Sequence, residues 1–526
     1  MNRLKKYLVN GLMLSCASIL IRAISVSFNV YLSGKTGAEG MGLITLIYSV
    51  YGLFITLATS GIGLAVTRLV SASYSENEIG AVNEKSYTST AKILKSSLAY
   101  ALIFSLTASC VLFVSAGSIG ALVLCDRRTV PSLRLLAFSL TPIALTSVIN
   151  GYFNGVRRVY KSVFVQLSEQ GVRISLTAFL LLIILPKSVE NACVAIIGAG
   201  VVAEVWSALI SGILLLCDRK KHTKNTYTVS KIGNTPAILE SEGTSYDRLD
   251  FGGVFSLAFP MGVSGYVRSA LATVEHIAIP WGLKKSGGAD PLASYGILHG
   301  MVFPILMFPS AVLGAFSSLL VPELSSAQAR GDVRAIRRTV SAVISLSLLF
   351  SVGVSGIFIA YSHEIGIALY DSAEAGEYIR ILSPLIPLMY LDGAVDSMLK
   401  GLGEQLYCMR VNIGDSVISV ILIFTLLPAY GMWGYVAVIF ITELYNTSFS
   451  ILRLLKVTDI KTPCLKWVGK PLLAVLTSTV ITRLFFDGPY LSVLPLGRPL
   501  LAAEIASSTL IYIIAILLFG RLKRFR

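Results

Sequence analysis

Long apolar runs alternate with short polar breaks from one end of the chain to the other. A run of 18 or more residues with few charges is long enough to cross a bilayer as a helix. Fourteen such spans can be read, at about 7–33, 42–70, 93–124, 132–154, 162–186, 191–217, 252–282, 292–322, 338–361, 377–400, 406–428, 432–455, 466–486 and 497–520. Transmembrane β-strands would be shorter and alternating, so helices that satisfy their own backbone are expected. The pattern predicts an all-α polytopic membrane protein with 14 transmembrane helices. Its longest polar stretch, Asp218 to Asp250, is rich in Gly, Ser, Thr, Asn and Lys and reads as a cytoplasmic linker. The expected organisation is an N-lobe of helices 1–6 over 1–217, the linker over 218–250 and a C-lobe of helices 7–12 over 251–456. Helices 13–14 and a basic tail occupy 457–526.

Sliding the chain against itself by 246 residues exposes a duplication. Arg22 falls on Arg268, Ser18 on Ser264, Asn29 on Glu275, Ile119-Gly120 on Ile365-Gly366 and Arg134 on Arg380. Gly155 meets Gly401, Gln166 meets Asn412 and Glu169 meets Asp415. Between the second and third spans the offset drifts to about 254, and Glu204 meets Glu443 at 239. Each copy holds six helices, an even number, so both cross the membrane in the same sense. Two parallel six-helix repeats plus two C-terminal helices result, and parallel repeats hold substrate between them near mid-depth.

Composition supports the membrane reading: 54% of residues are hydrophobic and 14% charged, with mean hydropathy +0.75, where soluble domains have about 25% charged residues. The basic start Asn2-Arg3-Leu4-Lys5-Lys6 resembles a signal peptide, but the apolar run behind it is too long for one. The net charge of +15 could suggest nucleic acid. Its distribution points elsewhere: with the N-terminus in the cytoplasm, cytoplasmic segments hold 31 Lys and Arg against 8 in outer loops. That asymmetry places both termini in the cytoplasm, makes the charge a topology and lipid signal, and leaves no nucleic-acid role. The seven cysteines form no CxxC pair, so no zinc site or disulfide framework is expected. No HExxH, P-loop or GxSxG motif is present, so no catalytic or metal residue is assigned and no enzyme is expected.

Polar groups at membrane depth are costly, so each calls for a reason. Ser15, Ser18, Arg22, Ser25 and Asn29 follow a 3-4-3-4 spacing and share one helical face. The repeat partner carries Ser264, Arg268 and Glu275 on its matching face. Two such stripes would line a central cavity, where Arg22 and Arg268 offer guanidinium forks suited to phosphate; structural ion pairing is the alternative. Glu169 and Arg173 are spaced to neutralise each other, with ion coupling as the alternative for Glu169. Asp392, Asp396 and Asp415 have fewer bases near them in sequence and suit coupling to a Na+ or H+ gradient. His276 and His299 read as structural groups, Glu204 and Glu443 as helix-contact groups. Pro142, Pro260, Pro304, Pro309, Pro384 and Pro387 should kink their helices.

Three stretches resemble the polysaccharide and lipid-linked oligosaccharide flippases of the MATE-like (MOP) superfamily, and within it the stage V sporulation protein B branch. They are Arg22 followed by Tyr31-Leu32-Ser33-Gly34-Lys35-Thr36-Gly37-Ala38-Glu39-Gly40-Met41-Gly42, then Gln166-Leu167-Ser168-Glu169-Gln170-Gly171-Val172-Arg173, and Gly300-Met301-Val302-Phe303-Pro304 through Pro322. The chain departs from the related lipid II flippases at Phe28, where their first helix carries a further arginine. The resemblance implies a V-shaped cavity between two six-helix lobes, lined by cations that hold a pyrophosphate, with a lipid-tail groove at the last two helices. It implies movement of an undecaprenyl-pyrophosphate-linked saccharide or peptidoglycan precursor across the cytoplasmic membrane, with cell-envelope polymerases as partners. Two other readings stay open: a cation-coupled exporter of small organic cations, and a non-transporting scaffold.

Overall fold

A computed structural model describes residues 2–77, 84–156, 158–183, 188–229, 251–460, 464–486 and 497–521. Among them there is no β-strand, and nine helical stretches are long and apolar enough to cross a membrane. The chain is an all-helical, multi-pass membrane protein. Its helices are α1 (Asn2–Thr59), α2 (Ile62–Asn77), α3 (Glu84–Ser118), α4 (Val130–Gly155), α5 (Val159–Ile183), α6 (Val189–Val229) and α7 (Phe251–Lys285). There follow α8 (Pro291–Tyr295), α9 (Phe303–Met307), α10 (Ser310–Ala329), α11 (Val333–Ala360), α12 (Ser362–Tyr370), α13 (Ala373–Leu382), α14 (Ile386–Gly401), α15 (Gln405–Thr458), α16 (Cys464–Phe486) and α17 (Gly497–Arg521). α6 continues helically to Val229, into the segment read as linker; 230–250 lies outside the described residues.

Two bends fall between expected spans, at Gly37 and Gly431, and others occur inside them. α1 holds two helical rods that meet at Gly37, whose φ of 68° only glycine adopts at little cost. α15 joins two rods at Gly431 in the same way, with φ 57°. The second expected span breaks at Ser60 and Gly61, both with positive φ. The eighth is not one helix: α8 passes into a π-helical stretch, Gly296–Val302, then into α9 and α10. Proline sets the later breaks. Pro304 opens α9, Pro309 caps α10, and Pro384 and Pro387 open the turn before α14 and α14 itself. Pro142 lies inside a continuous α4.

The chain forms two compact units, Met1–Thr45 with Ala278–Arg526, and Leu46–Ile277. The second is built around α4, against which α2, α3 and α6 pack. Its core includes Val66, Val70, Leu94, Ile149, Tyr152, Phe153 and Leu215. In the other unit α14 takes the same part against α10, α11 and α15, around Leu320, Leu324, Val340, Val395, Met398, Leu399 and Leu454. These residues correspond one to one at the three offsets of the sequence repeat, so the two cores are copies.

Finer geometry repeats as well. Ser109 Oγ donates to the Ala137 carbonyl at 2.6 Å, and Ser355 Oγ, 246 residues on, donates to the Ser383 carbonyl at 2.7 Å. Cys125 and Asp371, equivalent positions, both take left-handed φ, 53° and 52°. A Cβ on Gly155 would lie 2.8 Å from the Val70 Cβ, and one on Gly401 would lie 3.2 Å from the Leu324 Cβ. Outside the duplication, α16 and α17 pack on each other and on α11. Gly353 and Gly356 of α11 present bare backbone to Tyr512 of α17 and Val475 of α16.

Candidate functional site: the charged groups within the helices

Arg22 stands exposed on the first rod of α1. Ser18 is exposed beside it, and Ser25 and Asn29 are half-buried on the same face. Ser25 Oγ turns back to the Ile21 carbonyl at 2.8 Å, which satisfies its hydroxyl within the helix. The charge of Arg22 reaches Tyr390 of α14 in the same unit; that tyrosine donates its hydroxyl to the Leu306 carbonyl. Arg268 is exposed on α7, with Ser264 one turn before it and a half-buried Glu275 two turns after. Arg22 belongs to one compact unit, Arg268 to the other. Among the described residues neither arginine makes an ion pair.

Other helical arginines behave differently. Arg173 of α5 holds Glu169 at 2.7 Å on its own helix and Glu204 of α6 at 2.8 Å. The i, i+4 spacing announced the first contact; the second needed the α5–α6 packing. Two carboxylates around one guanidinium make Glu169 part of a pinned ion triad. Arg158 and Lys161, at the start of α5, both pair with one oxygen of Asp218, which is 1% exposed. At the equivalent place in the second copy the polarity is reversed: Glu404 accepts a bidentate grip from Arg453.

The second copy has no arginine where the first has Arg173. That position is Ser419, which is buried. In the same copy three acids gather: Asp392 of α14 and Asp415 of α15 lie within electrostatic reach of Glu443, further along α15. Asn446 Nδ2 donates to Asp392 at 3.2 Å, and Thr447 Oγ1 donates to Glu443 at 3.0 Å. Glu443, Asn446 and Thr447 share a helical face at 3-4 spacing, a signal in the sequence that marks Glu443 as a member of this cluster and not only a helix-contact group. Asp396, expected to have few bases near it and to suit ion coupling, is bound by Lys400 at 2.8 Å one turn along the helix. His299 lies on the π-helical stretch, hydrogen-bonded to Tyr435 at 2.7 Å. Among the described residues no three His, Cys, Asp or Glu side chains are placed to hold a metal ion.

A duplicated all-helical membrane fold, with charged clusters in each copy, defines a class of polytopic membrane protein built on internal repeats. The family follows from comparison. The model of the family described as "Polysaccharide biosynthesis protein" matches residues 7–328, more than half of the chain, and the MatE model matches 267–425. The chain belongs to the polysaccharide biosynthesis protein family, in the MATE-like (MOP) superfamily. It is 25% identical over 523 residues to stage V sporulation protein B of Bacillus subtilis (strain 168), covering 98% of this chain and 96% of that one. It is 22% identical over 438 residues to lipid II flippase MurJ of the same organism, covering 79% and 76%. Among solved structures, lipid II flippase MurJ in an inward closed conformation aligns with TM-score 0.69 at 14% identity, over 98% of this chain and 100% of that one; this likeness shows the fold.

Proposed function

We propose that the protein is a transporter and not an enzyme: a flippase that carries an undecaprenyl-pyrophosphate-linked saccharide or peptidoglycan precursor across the cytoplasmic membrane by alternating access. Arg22 and Arg268 grip the pyrophosphate. The observation that carries this reading is the pair of repeat-matched arginines, exposed on their helices and without an ion pair among the described residues, in a chain whose Arg173, Arg158 and Arg453 are all paired. An intramembrane guanidinium without an acid suits an anionic ligand. Near-full-length similarity to a curated relative and the match to a lipid II flippase support the substrate class. Both termini face the cytoplasm, as the distribution of Lys and Arg indicates. Cell-envelope polymerases that consume the translocated saccharide are its natural partners.

The acids Asp392, Asp415 and Glu443 supply carboxylates for coupling to a H+ gradient, with Asn446 and Thr447 as neutral neighbours; they are not placed to hold a Na+ together. Asp396 and Glu169 have fixed cationic partners and serve the helix packing. The same acid cluster, with the MatE match over 267–425, favours a second reading, export of small organic cations.

Titration of the purified protein with a polyprenyl-pyrophosphate saccharide separates the two. Each charge-assisted contact contributes about 1.5–3 kcal/mol, so Arg22→Ala/Arg268→Ala should weaken binding by about 100-fold or more. Equal binding by wild type and variant, or binding of an organic cation alone, sinks the flippase reading.

A further inference from the structure

The turn between α3 and α4 carries the wrong charge for the outer side of a membrane protein. Outer loops hold 8 Lys and Arg in all, and three of them, Arg127, Arg128 and Arg134, fall in this one turn and the start of α4. The acid of the turn, Asp126, is held by Arg128 at 2.7 Å. Arg127 and Arg134 are exposed, and neither makes an ion pair among the described residues. The duplicate turn has the opposite sign: at offset 246 Cys125, Arg128 and Pro131 become Asp371, Glu374 and Glu377, while Arg134 becomes Arg380. The backbone is alike in both, left-handed at Cys125 and Asp371 and capped by the side chains of Asp126 and Ser372. The cations are therefore not needed to build the turn.

A cleft of about 410 Å³ opens beside them, lined by Gly117, Ala121, Arg127, Val130 and Pro131. Its α3 wall ends in a π-helical segment, Ile119–Val123, a form often found at functional sites. A Cβ on Gly120 would lie 2.5 Å from the Val130 Cγ2; in the second copy a Cβ on Gly366 would lie 2.5 Å from the backbone nitrogen of Gly376. A side chain thus separates the two walls in the first copy where backbone meets backbone in the second. Gly117 faces open space, because a Cβ there would meet nothing within 4 Å.

From the cleft both walls run toward mid-membrane. Arg127, Pro131, Arg134 and Phe138 recur at 4-3-4 spacing and all are exposed. On α3, Val114 shares a face with Gly117 and is 82% exposed. Arg134 lies over the Phe113 ring, 5.9 Å from its centroid, and Phe113 meets Phe138 edge to face at 5.7 Å. Guanidinium at the turn, aromatic rings next and bare aliphatic surface beyond match the phosphate, glycerol and acyl chains of a phospholipid in that order.

We propose that this cleft binds one anionic phospholipid, in the outer leaflet for the proposed orientation. Arg127 and Arg134, about 10 Å apart along the chain axis, offer their forks to the phosphate, and the acyl chains lie along Val114 and Phe138. Two cations without acids favour a lipid of net negative charge over a zwitterion, whose ammonium they repel. The site is separate from the pyrophosphate grip of Arg22 and Arg268, so failure of the flippase reading leaves it standing. The test is native mass spectrometry of the delipidated full chain, titrated with dioleoyl-phosphatidylglycerol or dioleoyl-phosphatidylcholine. The first phosphatidylglycerol should bind about tenfold tighter or more than the first phosphatidylcholine. Arg127→Gln/Arg134→Gln should abolish that preference, and Arg330→Gln/Arg334→Gln, exposed at the other end of the bundle, should keep it. Ala121→Trp, which fills the cleft and leaves both charges in place, should weaken phosphatidylglycerol binding as much; it covers an arginine variant that does not fold. Equal affinity of the wild type for the two lipids overturns the site. So does a preference that survives Arg127→Gln/Arg134→Gln or Ala121→Trp, or one that Arg330→Gln/Arg334→Gln also removes. A polyprenyl-pyrophosphate saccharide held by Arg127 and Arg134 more tightly than phosphatidylglycerol overturns it too, by making the cleft part of the substrate route.

Discussion

At the scale of single residues, the outcome for each charged group depended on whether its partner lies on the same helix. Glu169–Arg173 and Asp396–Lys400 are one turn apart, and that spacing makes such pairs readable from the sequence. Glu204 is 31 residues from Arg173 and joins it only because α5 and α6 pack together. Arg22 and Arg268 are a repeat-matched pair without an ion pair among the described residues, as Arg134 and Arg380 also are. The triad gives a sharp stability prediction. Arg173→Met leaves Glu169 and Glu204 facing each other without their cation, which should cost about 3 kcal/mol. Adding Glu169→Gln and Glu204→Gln should restore most of the loss, because replacing every charged member removes the uncompensated carboxylates. Thermal unfolding in detergent measures both; a triple variant no better than the single one contradicts the triad as the cause.

At the scale of elements, the existence of the helices was legible and their interruptions only in part. Hydrophobic runs report burial in lipid or protein, whatever the local φ and ψ. The break at Ser60-Gly61 and the π stretch at Gly296–Val302 leave no mark on hydropathy, whereas Gly37 and Gly431 fall between expected spans. The prolines were a better guide where they open or cap a helix, as at Pro304, Pro309 and Pro387, than at Pro142, which α4 carries through. The attachment of α16 and α17 depends on α11 being bare at two successive turns. Gly356→Val puts a side chain where Val475 packs, and overpacking of this kind costs about 1–3 kcal/mol. The expected result is a lower unfolding temperature, recovered by adding Val475→Ala. If Gly356→Val leaves the unfolding temperature unchanged, the close approach of α11 and α16 is not what holds the pair in place.

At the scale of the whole molecule, the duplication was the most informative feature of the sequence. Offsets of 246, 254 and 239, read from scattered identities, reappear as paired cores, paired serine-to-carbonyl bonds and paired left-handed residues. The copies diverge where charge is involved. Arg173 gives way to Ser419, and Arg158, paired with Asp218, gives way to Glu404, paired with Arg453 one turn before the position equivalent to Asp218. One copy thus carries its own fixed cation between two acids, while the other gathers Asp392, Asp415 and Glu443 and has a serine where the first has that cation. That difference could not be read before packing was known, because it depends on which helices meet. The account assigns anion capture to the two exposed arginines and leaves the acid cluster to coupling. The most direct test is transbilayer movement of a polyprenyl-pyrophosphate saccharide in liposomes containing wild type, Arg22→Ala, Arg268→Ala or the double variant. Flipping by the wild type, a loss of about tenfold or more in each single variant and its abolition in the double variant are predicted. Wild-type rates in the double variant would contradict the account.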